Sequence, residues 1–507
     1  MDEIAIRQHV EWDGNKYHGY IDMGTKLDDD TLPVAKEALV FMVVALNSSW
    51  KMQVGYFLIN GLAANERGNL VVQCIKRLHS VGIRVESLTF DGASSNVAMV
   101  KQLGCDFDTN NMKSHFSHPI TESPVRVFLD PYHMLKLVRN ALGDMKAFTD
   151  SAGNTVMWRY IERLHQLQEN EGLHLGNKLR ASHIAWVKKK MNVKLAAQLL
   201  SDSVADSLQF CLDEKIEGFE GCEGTIQFIR TFNVLFDILN SRNLCSNGWK
   251  VPLQSLNESK IKTALNTAKI YIASLKVHGE EMLMIKCRRK MGFLGFLICI
   301  NSVLNMFDGL VMSPSPPLKF LTTYKMSQDH IELFFGKIRS MGGWNNNPTC
   351  RQFSAAYKKI LVNNDIKDVT RGNCLPIESV QILTVSSGYH TNISSTVPSV
   401  LDINMTCTKT RLCDSSVSNE NDSESEEDPC ISSSMISQFS EKIVAYIAGF
   451  VCSKLRKSIT CDVCNGVIVN SNVSPVHSLI NVKNKGGLCF PSEDVINISL
   501  TCEKIFR

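Results

Sequence analysis

The stretch that decides the fold runs from Ser327 to Thr349 and reads SQDHIELFFGKIRSMGGWNNNPT. Its first half predicts a helix that Ser327 caps, because its apolar residues recur at helical spacing. These apolar residues are Ile331, Phe334, Phe335 and Ile338. Asp329 and Glu332 lie three residues apart and are neighbours on the surface of this helix. Two acids in this position are either a solvated helix edge or one arm of a metal site, and the rest of the chain has to decide between them.

The composition is that of a soluble globular protein with several domains. The chain has 507 residues, of which 44% are hydrophobic and 21% charged, and this length predicts two to four domains. A net charge of +3 neither requires nor excludes a nucleic-acid partner. The 17 scattered cysteines indicate reduced intracellular thiols. No signal peptide is predicted, and the apolar run 292–304 contains Asn301 and Ser302, so it predicts a buried helix and no membrane partner.

Strands and helices alternate in the first part of the chain. Residues 10–22 predict a hairpin, and two apolar strands follow at 39–46 and 53–59, in a meander whose third strand is central. A helix, a strand that ends at Asp91, and a second helix come next, followed by a strand that ends at Asp130. This order predicts an α/β fold with a mixed sheet and helices on its faces. Ligands of such sheets gather at the carboxyl ends of strands.

Helical periodicity then dominates, and four regions are predicted. Residues 1–143 form the first sheet region, 144–310 an all-α insertion, 311–355 the return to the sheet, and 356–507 an irregular C-terminal tail. Within the tail, residues 414–428 are acidic and serine-rich and predict a disordered linker.

The acids of the predicted sheet have two interpretations. Asp91 ends a strand, and such an Asp often caps the following helix. Asp2, Asp91 and Glu332 together would instead supply the hard oxygen ligands that two-metal phosphoryl transfer needs. Their spacing in the sequence does not show that they converge. Asp237 by itself predicts only an acid on a helix surface.

The sequence resembles the P-element family of transposases, including its domesticated THAP-type members. The motifs that carry the resemblance are Asp2-Glu3-x-Ala5-Ile6, Tyr17-x-Gly19-Tyr20, Phe90-Asp91-Gly92-Ala93-Ser94-x-Asn96, Asp130-Pro131-x-His133-Met134-Leu135-Lys136-x-x-Arg139-Asn140, Val193-Lys194-Leu195-Ala196-x-Gln198-x-x-Ser201, Phe236-Asp237-x-x-Asn240-Ser241-Arg242 and Asp329-His330-x-Glu332-x-Phe334-Phe335. Each motif is weak by itself, and their order and spacing make the resemblance specific.

The resemblance implies an RNase H-like domain that is interrupted by a helical GTP-binding insertion. It implies Mg²⁺-dependent DNA cleavage and strand transfer in the nucleus, on transposon ends and target DNA, by a homo-oligomer. The family's catalytic and metal-binding acids fall on Asp2, Asp91 and Glu332.

The resemblance also implies the residues that contact the nucleotide. Phe236 would stack on guanine, and Asp237 would accept hydrogen bonds from its N1–H and N2 amine. The other positions that match are Asn240, Lys178, Val193, Ser201 and Asp329. Asn192 departs from the basic residue that is more frequent in the family, and the chain has no phosphate-binding loop of the GxxxxGK[S/T] type. GTP is expected to be a bound cofactor that is not hydrolysed.

Basic residues and cysteines complete the candidates. His133 is expected to hold its loop to the sheet, whereas Lys136 and Arg139 would meet DNA phosphates. The basic runs 186–190 and 286–290 suit either phosphate contact or a solvated face. Cys461 and Cys464 form half of a zinc site or are unpaired thiols; the nearest candidates for the other half are His477 and Cys489.

The chain departs from the family pattern at its start. The N-terminal zinc finger and the dimerising region of the family are not found here, and Met1 directly precedes Asp2. Most of the first catalytic strand is therefore expected to be missing, which would leave Asp2 poorly positioned. Two functions follow, an active transposase core or a domesticated or truncated DNA- and nucleotide-binding derivative without catalysis. An unrelated RNase H-like nuclease is a third reading.

Overall fold

The computed structural model describes residues 1–24, 32–363 and 437–506. The acidic segment 414–428 lies outside this part of the chain. The strands are β1 (Asp2–Ala5), β2 (Glu11–Trp12), β3 (Tyr17–His18), β4 (Glu37–Val44), β5 (Lys51–Ile59), β6 (Ser87–Phe90), β7 (His115–Ser117), β8 (Pro124–Leu129), β9 (Ala147–Thr149), β10 (Thr155–Met157) and β11 (Lys276–Val277).

Helices make up much of the rest of the described chain. They are α1 (Ala64–Ser80), α2 (Ser94–Gln102), α3 (Pro131–Met145), α4 (Trp158–Glu171), α5 (Ala181–Ile184), α6 (Val193–Leu199), α7 (Asp202–Asp213), α8 (Glu223–Leu239), α9 (Glu258–Ser274), α10 (Met291–Leu310), α11 (Asp329–Met341), α12 (Cys350–Asn363), α13 (Gln438–Leu455), α14 (Asp462–Val467), α15 (Ser478–Lys483) and α16 (Glu493–Phe506).

The main strands form two three-stranded sheets, ordered β5-β4-β1 and β6-β8-β7. Pairing is antiparallel in the first sheet, whereas β6 runs parallel to β8 and β7 antiparallel to it. The two sheets meet where the amino group of Met1 donates a 2.8 Å hydrogen bond to the carbonyl of Thr89. The predicted α/β fold with mixed strand directions is confirmed.

The first strand corrects two predictions. All four residues of β1 pair with β4, with Asp2 opposite Val40, and Ile4 is buried. The expectation that Asp2 would be poorly positioned is therefore wrong, because the four residues of β1 suffice to extend the ladder. The predicted hairpin forms as β2 and β3, but it is a separate two-stranded ribbon. β4 is the middle strand of its sheet, because β1 and β5 pair on its two sides.

Helix α11 packs through the face that its sequence pattern predicts. Ile331, Phe334, Phe335 and Ile338 are buried in one cluster with Ile4 and Val40 of the sheet. The predicted cap is wrong, since Gln328 is the capping residue. The hydroxyl of Ser327 instead donates to the carbonyl of Tyr324 at 2.7 Å.

The region after β8 is mainly helical, as predicted, and it also contains a small sheet ordered β10-β9-β11. Its last long helix, α10, packs on the sheet: the hydroxyl of Ser302 donates to the carbonyl of Val127 at 2.6 Å. By length and composition α10 could cross a membrane, but 72% of its most apolar window is buried inside the protein. This helix therefore belongs to the protein core, where the sequence predicted a buried helix.

The C-terminal helices pack on the helical region. Phe439 of α13 lies 5.8 Å, between ring centroids, from Phe210 of α7. Ile443 and Leu479 are buried in the same core cluster as the helices of the middle region. Within residues 437–506, the tail predicted as irregular forms the helices α13 to α16, which irregular segments connect.

Candidate active site

Acids lie at the ends of adjacent strands. Asp91 follows β6, and Asp130 follows β8, its parallel neighbour. Asp2 begins β1, whose preceding residue contacts β6 through the bond from Met1 to Thr89. Because the carboxyl ends of parallel strands share one edge of a sheet, this edge carries several carboxylates.

Asp91 holds the turn after β6. Its Oδ1 accepts hydrogen bonds from the amide of Ala93 at 3.0 Å and from Nδ2 of Asn96 at 2.7 Å. The capping residue of α2 is Ala93, so Asp91 is not a helix cap. Its carboxylate is instead oriented by the backbone and by the first turn of the next helix.

A buried arginine, which the sequence reading missed, supports this arrangement. Arg67 is 4% exposed, forms an ion pair with Glu3 and donates to Oδ1 of Asn96 at 3.1 Å. It thereby ties β1 to the residue that orients Asp91. Its position on the inner face of an amphipathic helix was the available signal, because a charge there needs a partner.

Asp2, Asp91 and Glu332 interact electrostatically. Burial raises the pKa of Asp2 to about 7, and the negative charges of Asp91 and Glu332 contribute to this rise. The hydrogen bond with the backbone of Glu3 and the positive charge of the amino terminus oppose it. Glu332 is exposed in the first turn of α11. Within the described ranges, no three His, Cys, Asp or Glu side chains are grouped closely enough to hold a metal ion. The three acids thus interact electrostatically, but they do not form a preassembled metal-binding cage.

Asp130 and Lys136 lie buried beside these acids. Burial, and then the charge of Asp329, raise the pKa of Asp130 to about 8. Burial lowers the pKa of Lys136, which the charges of Glu332, Asp130 and Asp91 oppose. Lys136 is 5% exposed, so the predicted contact with DNA phosphates is not available to it in this conformation. Its ammonium instead balances part of the negative charge of the edge.

The residues predicted to contact guanine lie near the end of α8. The ring of Phe236 meets the ring of Tyr132 edge-on, with centroids 5.1 Å apart. The carboxylate of Asp237 lies 3.7 Å from the ammonium of Lys250. Burial raises the pKa of Asp237, and the charge of Lys250 opposes this shift. A partly buried carboxylate whose ion-pair partner is itself largely exposed suits a ligand that donates hydrogen bonds.

A polar network joins Asn240 to the start of α11. Tyr132 donates its hydroxyl proton to Oδ1 of Asn240, and Nε of Arg242 donates to the same oxygen at 2.9 Å. Arg242 also donates to the hydroxyl of Tyr132 and, at 2.8 Å, to Oδ2 of Asp329. Asn240 and Asp329, which the sequence predicts to contact the nucleotide, are therefore linked through Tyr132 and Arg242.

The other predicted nucleotide contacts lie at helix starts and in a loop. Val193 begins α6, which Asn192 caps by accepting from the amide of Leu195 at 3.1 Å. Ser201 precedes α7, and its hydroxyl donates to the carbonyl of Gln198 at 2.8 Å. Lys178 is exposed. The unusual residue Asn192 thus has a structural role as a helix cap.

Four family models match the chain. They describe a TNP-like RNase H N-terminal domain at residues 1–104, a TNP-like GTP-binding insertion domain at 132–252 and a TNP-like RNase H C-terminal domain at 324–358. The fourth describes the C-terminal domain of DNA transposase THAP9, at 435–507. The human DNA transposase THAP9 is 32% identical over the whole of this chain and 55% of its own length. The chain belongs to the P-element transposase family.

Two further comparisons agree with this P-element family assignment. The transposable element P transposase of Drosophila melanogaster is 26% identical over 67% of this chain and 43% of its own length. The structure titled Drosophila P element transposase strand transfer complex has a TM-score of 0.57 at 24% identity, over 72% of this chain and 76% of that one. It supports the fold. The chain spans about half the length of the curated relatives it matches.

The structure corrects the role predicted for Arg139 of the P-element motif that begins at Asp130. Arg139 is fully buried, and its guanidinium donates to the carbonyls of Lys189, Lys190 and Asn192 at 3.2–3.4 Å. It cannot meet DNA phosphates while it holds this loop. The lysines of the run 186–190 remain exposed, and Arg139 fixes the backbone that presents them.

The candidate zinc cysteines lie in the part that matches the THAP9 C-terminal domain. Cys461 and Cys464 are exposed, and hydrogen bonds within the pair lower the pKa of Cys461. His477 is buried, and both of its ring nitrogens contact protein groups, Ser474 and Pro491. The thiol of Cys489 donates to the carbonyl of Gly449. Neither candidate partner is placed to complete a zinc site with the pair.

Arg242→Met tests the network that joins Asn240 to Asp329. We expect a loss of about 2–3 kcal/mol in the free energy of unfolding, because Asp329 is 9% exposed and would lose this cation. Urea denaturation measures it. The matched control is Arg289→Met, whose ion pair with Asp144 is exposed on both sides and should contribute less than about 1 kcal/mol. Equal losses in the two variants would contradict the prediction.

Proposed function

We propose that this chain is the catalytic and nucleotide-binding core of a cut-and-paste DNA transposase. The observation that carries the proposal is the electrostatic interaction of Asp2, Asp91 and Glu332, which come from both sides of the helical insertion. The charges of Asp91 and Glu332 add to the effect of burial in raising the pKa of Asp2. The P-element family membership supports it. Its partners would be transposon ends and target DNA, and it would act in the nucleus as a homo-oligomer.

The carboxylates of Asp2, Asp91 and Glu332 suit Mg²⁺, a cation that prefers oxygen ligands. Bound there, the metal would activate the attacking oxygen and stabilise the leaving one. The remaining work belongs to the chain itself. Asn96 orients Asp91, and Arg67 orients Asn96 and holds Glu3 beside it. This support keeps the carboxylates in place while the negatively charged DNA backbone approaches.

The proposed reaction has two steps at phosphorus. In the first, water attacks a phosphodiester at the transposon end, its oxygen bonds to phosphorus, and the strand with a 3′-hydroxyl leaves. In the second, this 3′-oxygen attacks a target phosphodiester, and the target 3′-oxygen leaves with the proton. Both steps build negative charge on the phosphoryl oxygens, which nearby positive charge stabilises. Lys136 acts indirectly, because its buried ammonium balances part of the negative charge of Glu332, Asp130 and Asp91.

The test is integration of a labelled duplex with a 3′-hydroxyl, carrying candidate terminal repeats, into a supercoiled plasmid with Mg²⁺. Covalent joining of label to plasmid is the expected result. A second candidate function is DNA and nucleotide binding without catalysis, which the lack of a preassembled metal cage among the described residues favours. Retention of the duplex on the protein with no joined product, also in a chain extended at its N-terminus, would establish the second function.

We further propose that GTP binds beside Asp237, with Phe236 against the base. Asp237→Ala is expected to weaken GTP binding by about 10–100-fold, because a carboxylate that pairs with two donors contributes about 1.5–3 kcal/mol. Fluorescence titration with a labelled GTP analogue measures this loss. The matched control, Asp213→Ala at the far end of α7, should bind as the unmodified chain does. Unchanged binding by Asp237→Ala would remove the assignment.

A further inference from the structure

The C-terminal helices contact the helical region at both ends of α7. The ammonium of Lys483, at the end of α15, is 9% exposed and donates to the carbonyl of Ser203 at 2.9 Å. Lys442 of α13 forms an ion pair with Glu214, just after α7. Burial of a lysine against a carbonyl fixes the position of the chain around it. The residues that follow Lys483 are therefore held beside the first turn of α7.

Lys485 lies in this position and is accessible. Its side chain is 66% exposed, and its ammonium lies 2.5 Å from Oδ2 of Asp202, the first residue of α7. Asp202 directly follows Ser201, which the family resemblance places in the nucleotide site. An exposed ion pair of this kind is weak and is easily replaced by another partner.

The same lysine acts on Asp237. The charges of Lys250 and Lys485 oppose the rise in the pKa of Asp237, and the charge of Asp202 contributes to that rise. These groups therefore form one cluster, in which Lys485 comes from the C-terminal region and the others from the helical region. The carboxylates of Asp202 and Asp237 both interact with the positive charge of Lys485.

We propose that Lys485 is a nucleotide-binding residue, and that a guanine nucleotide at Asp237 bridges the helical region and the C-terminal region. The inference rests on the proposed GTP site. If Asp237 accepts from N1–H and N2 of guanine, O6 lies on the same edge of the base and requires a donor. An ammonium is a suitable donor to guanine O6. Lys485 reaches it by leaving Asp202.

Two substitutions have opposite expected effects. Lys485→Met should weaken binding of a fluorescent GTP analogue by about tenfold, because it removes a charge-assisted hydrogen bond. Asp202→Asn should strengthen binding by about two- to threefold, because it releases Lys485 and removes a negative charge beside Asp237. If the pair only fastened the C-terminal region, both substitutions would act in the same direction. Lys457→Met, an exposed lysine of the same region, is the control.

Hydrogen exchange provides a second measurement. GTP should slow amide exchange in α15 of the unmodified chain and of Lys457→Met, and should not do so in Lys485→Met. Unchanged GTP affinity in Lys485→Met, or equal protection of α15 in that variant, overturns the inference. Absence of GTP binding by the unmodified chain would instead overturn the proposed function, so the two failures are distinguishable. Equal urea denaturation of the variants shows that each is folded.

Discussion

Replacing Asp91 by Asn or Glu332 by Gln is expected to abolish DNA joining while the protein stays folded. Each substitution removes one negative charge and one metal ligand from the shared edge of the sheet. We expect a rate loss of at least about 1,000-fold, which corresponds to about 4 kcal/mol of activation free energy. Integration of a labelled 3′-hydroxyl duplex into a supercoiled plasmid, with Mg²⁺ present, measures the rate.

The free energy of unfolding should stay within about 1 kcal/mol, or rise, because the acids repel one another. Asp308→Asn provides the matched control, since this exposed acid at the end of α10 pairs with Lys262, away from the sheet edge. It should join DNA at the unmodified rate. Joining that persists in Asp91→Asn or Glu332→Gln would rule out the proposed set of catalytic acids.

Replacing Asp130 by Ala is expected to have the largest effect on stability. Asp130 is 4% exposed, and its two oxygens accept from the amides of His133, at 2.9 Å, and of Gln328, at 3.1 Å. The first bond caps α3 and the second holds the residue before α11. Alanine would leave both buried amides unpaired, at a cost of about 3–4 kcal/mol. Urea denaturation followed by circular dichroism measures the change.

Asp130→Asn separates hydrogen bonding from charge. Asparagine keeps one acceptor oxygen and leaves one of the two amides unpaired, so it should cost about half as much, about 1.5–2 kcal/mol. Because the pKa of Asp130 is raised from 3.8 to about 8 on folding, its carboxyl lowers stability as the pH rises between these values. The Asn variant should lose this pH dependence.

Asp106→Ala, which removes an exposed hydrogen bond to the amide of Asp108, is the control for Asp130→Ala and should be nearly neutral. Similar losses for these two Ala variants would contradict the proposed role of Asp130 in holding the start of α3 to the residue before α11.

Local patterns predicted the parts of the fold that depend on local physics. The face of α11 followed from the spacing of Ile331 and Phe334, because a 3.6-residue period determines which side chains share a surface. Asp91 was found at a strand end, because an apolar run followed by Asp-Gly marks that position. The pairing of β1 was not found, since four residues carry no detectable period and their partner lies beyond a hairpin.

Long-range contacts between regions were beyond these patterns. Helix α10 was placed in the insertion, whereas Ser302 and its neighbours pack on β8. The partner of Arg67 and the donors held by Asp130 are distant in sequence, so no spacing rule could pair them. The nucleotide residues came from the resemblance alone. The contact of Lys483 with α7 follows from tertiary packing, and no local pattern in the sequence indicates it.

The insertion also has a kinetic consequence. Asp2 and Asp91 precede it, whereas Glu332 and Gln328 follow it. The acids at the sheet edge therefore come together only through contacts between residues far apart in the sequence. Asp130 and its partner Gln328, for example, are separated by 198 positions. Such contacts form late, since the loop between them must be ordered first. On a ribosome, the first acids emerge long before Glu332. A nascent chain would therefore carry the helices of the insertion before the proposed acid site could form.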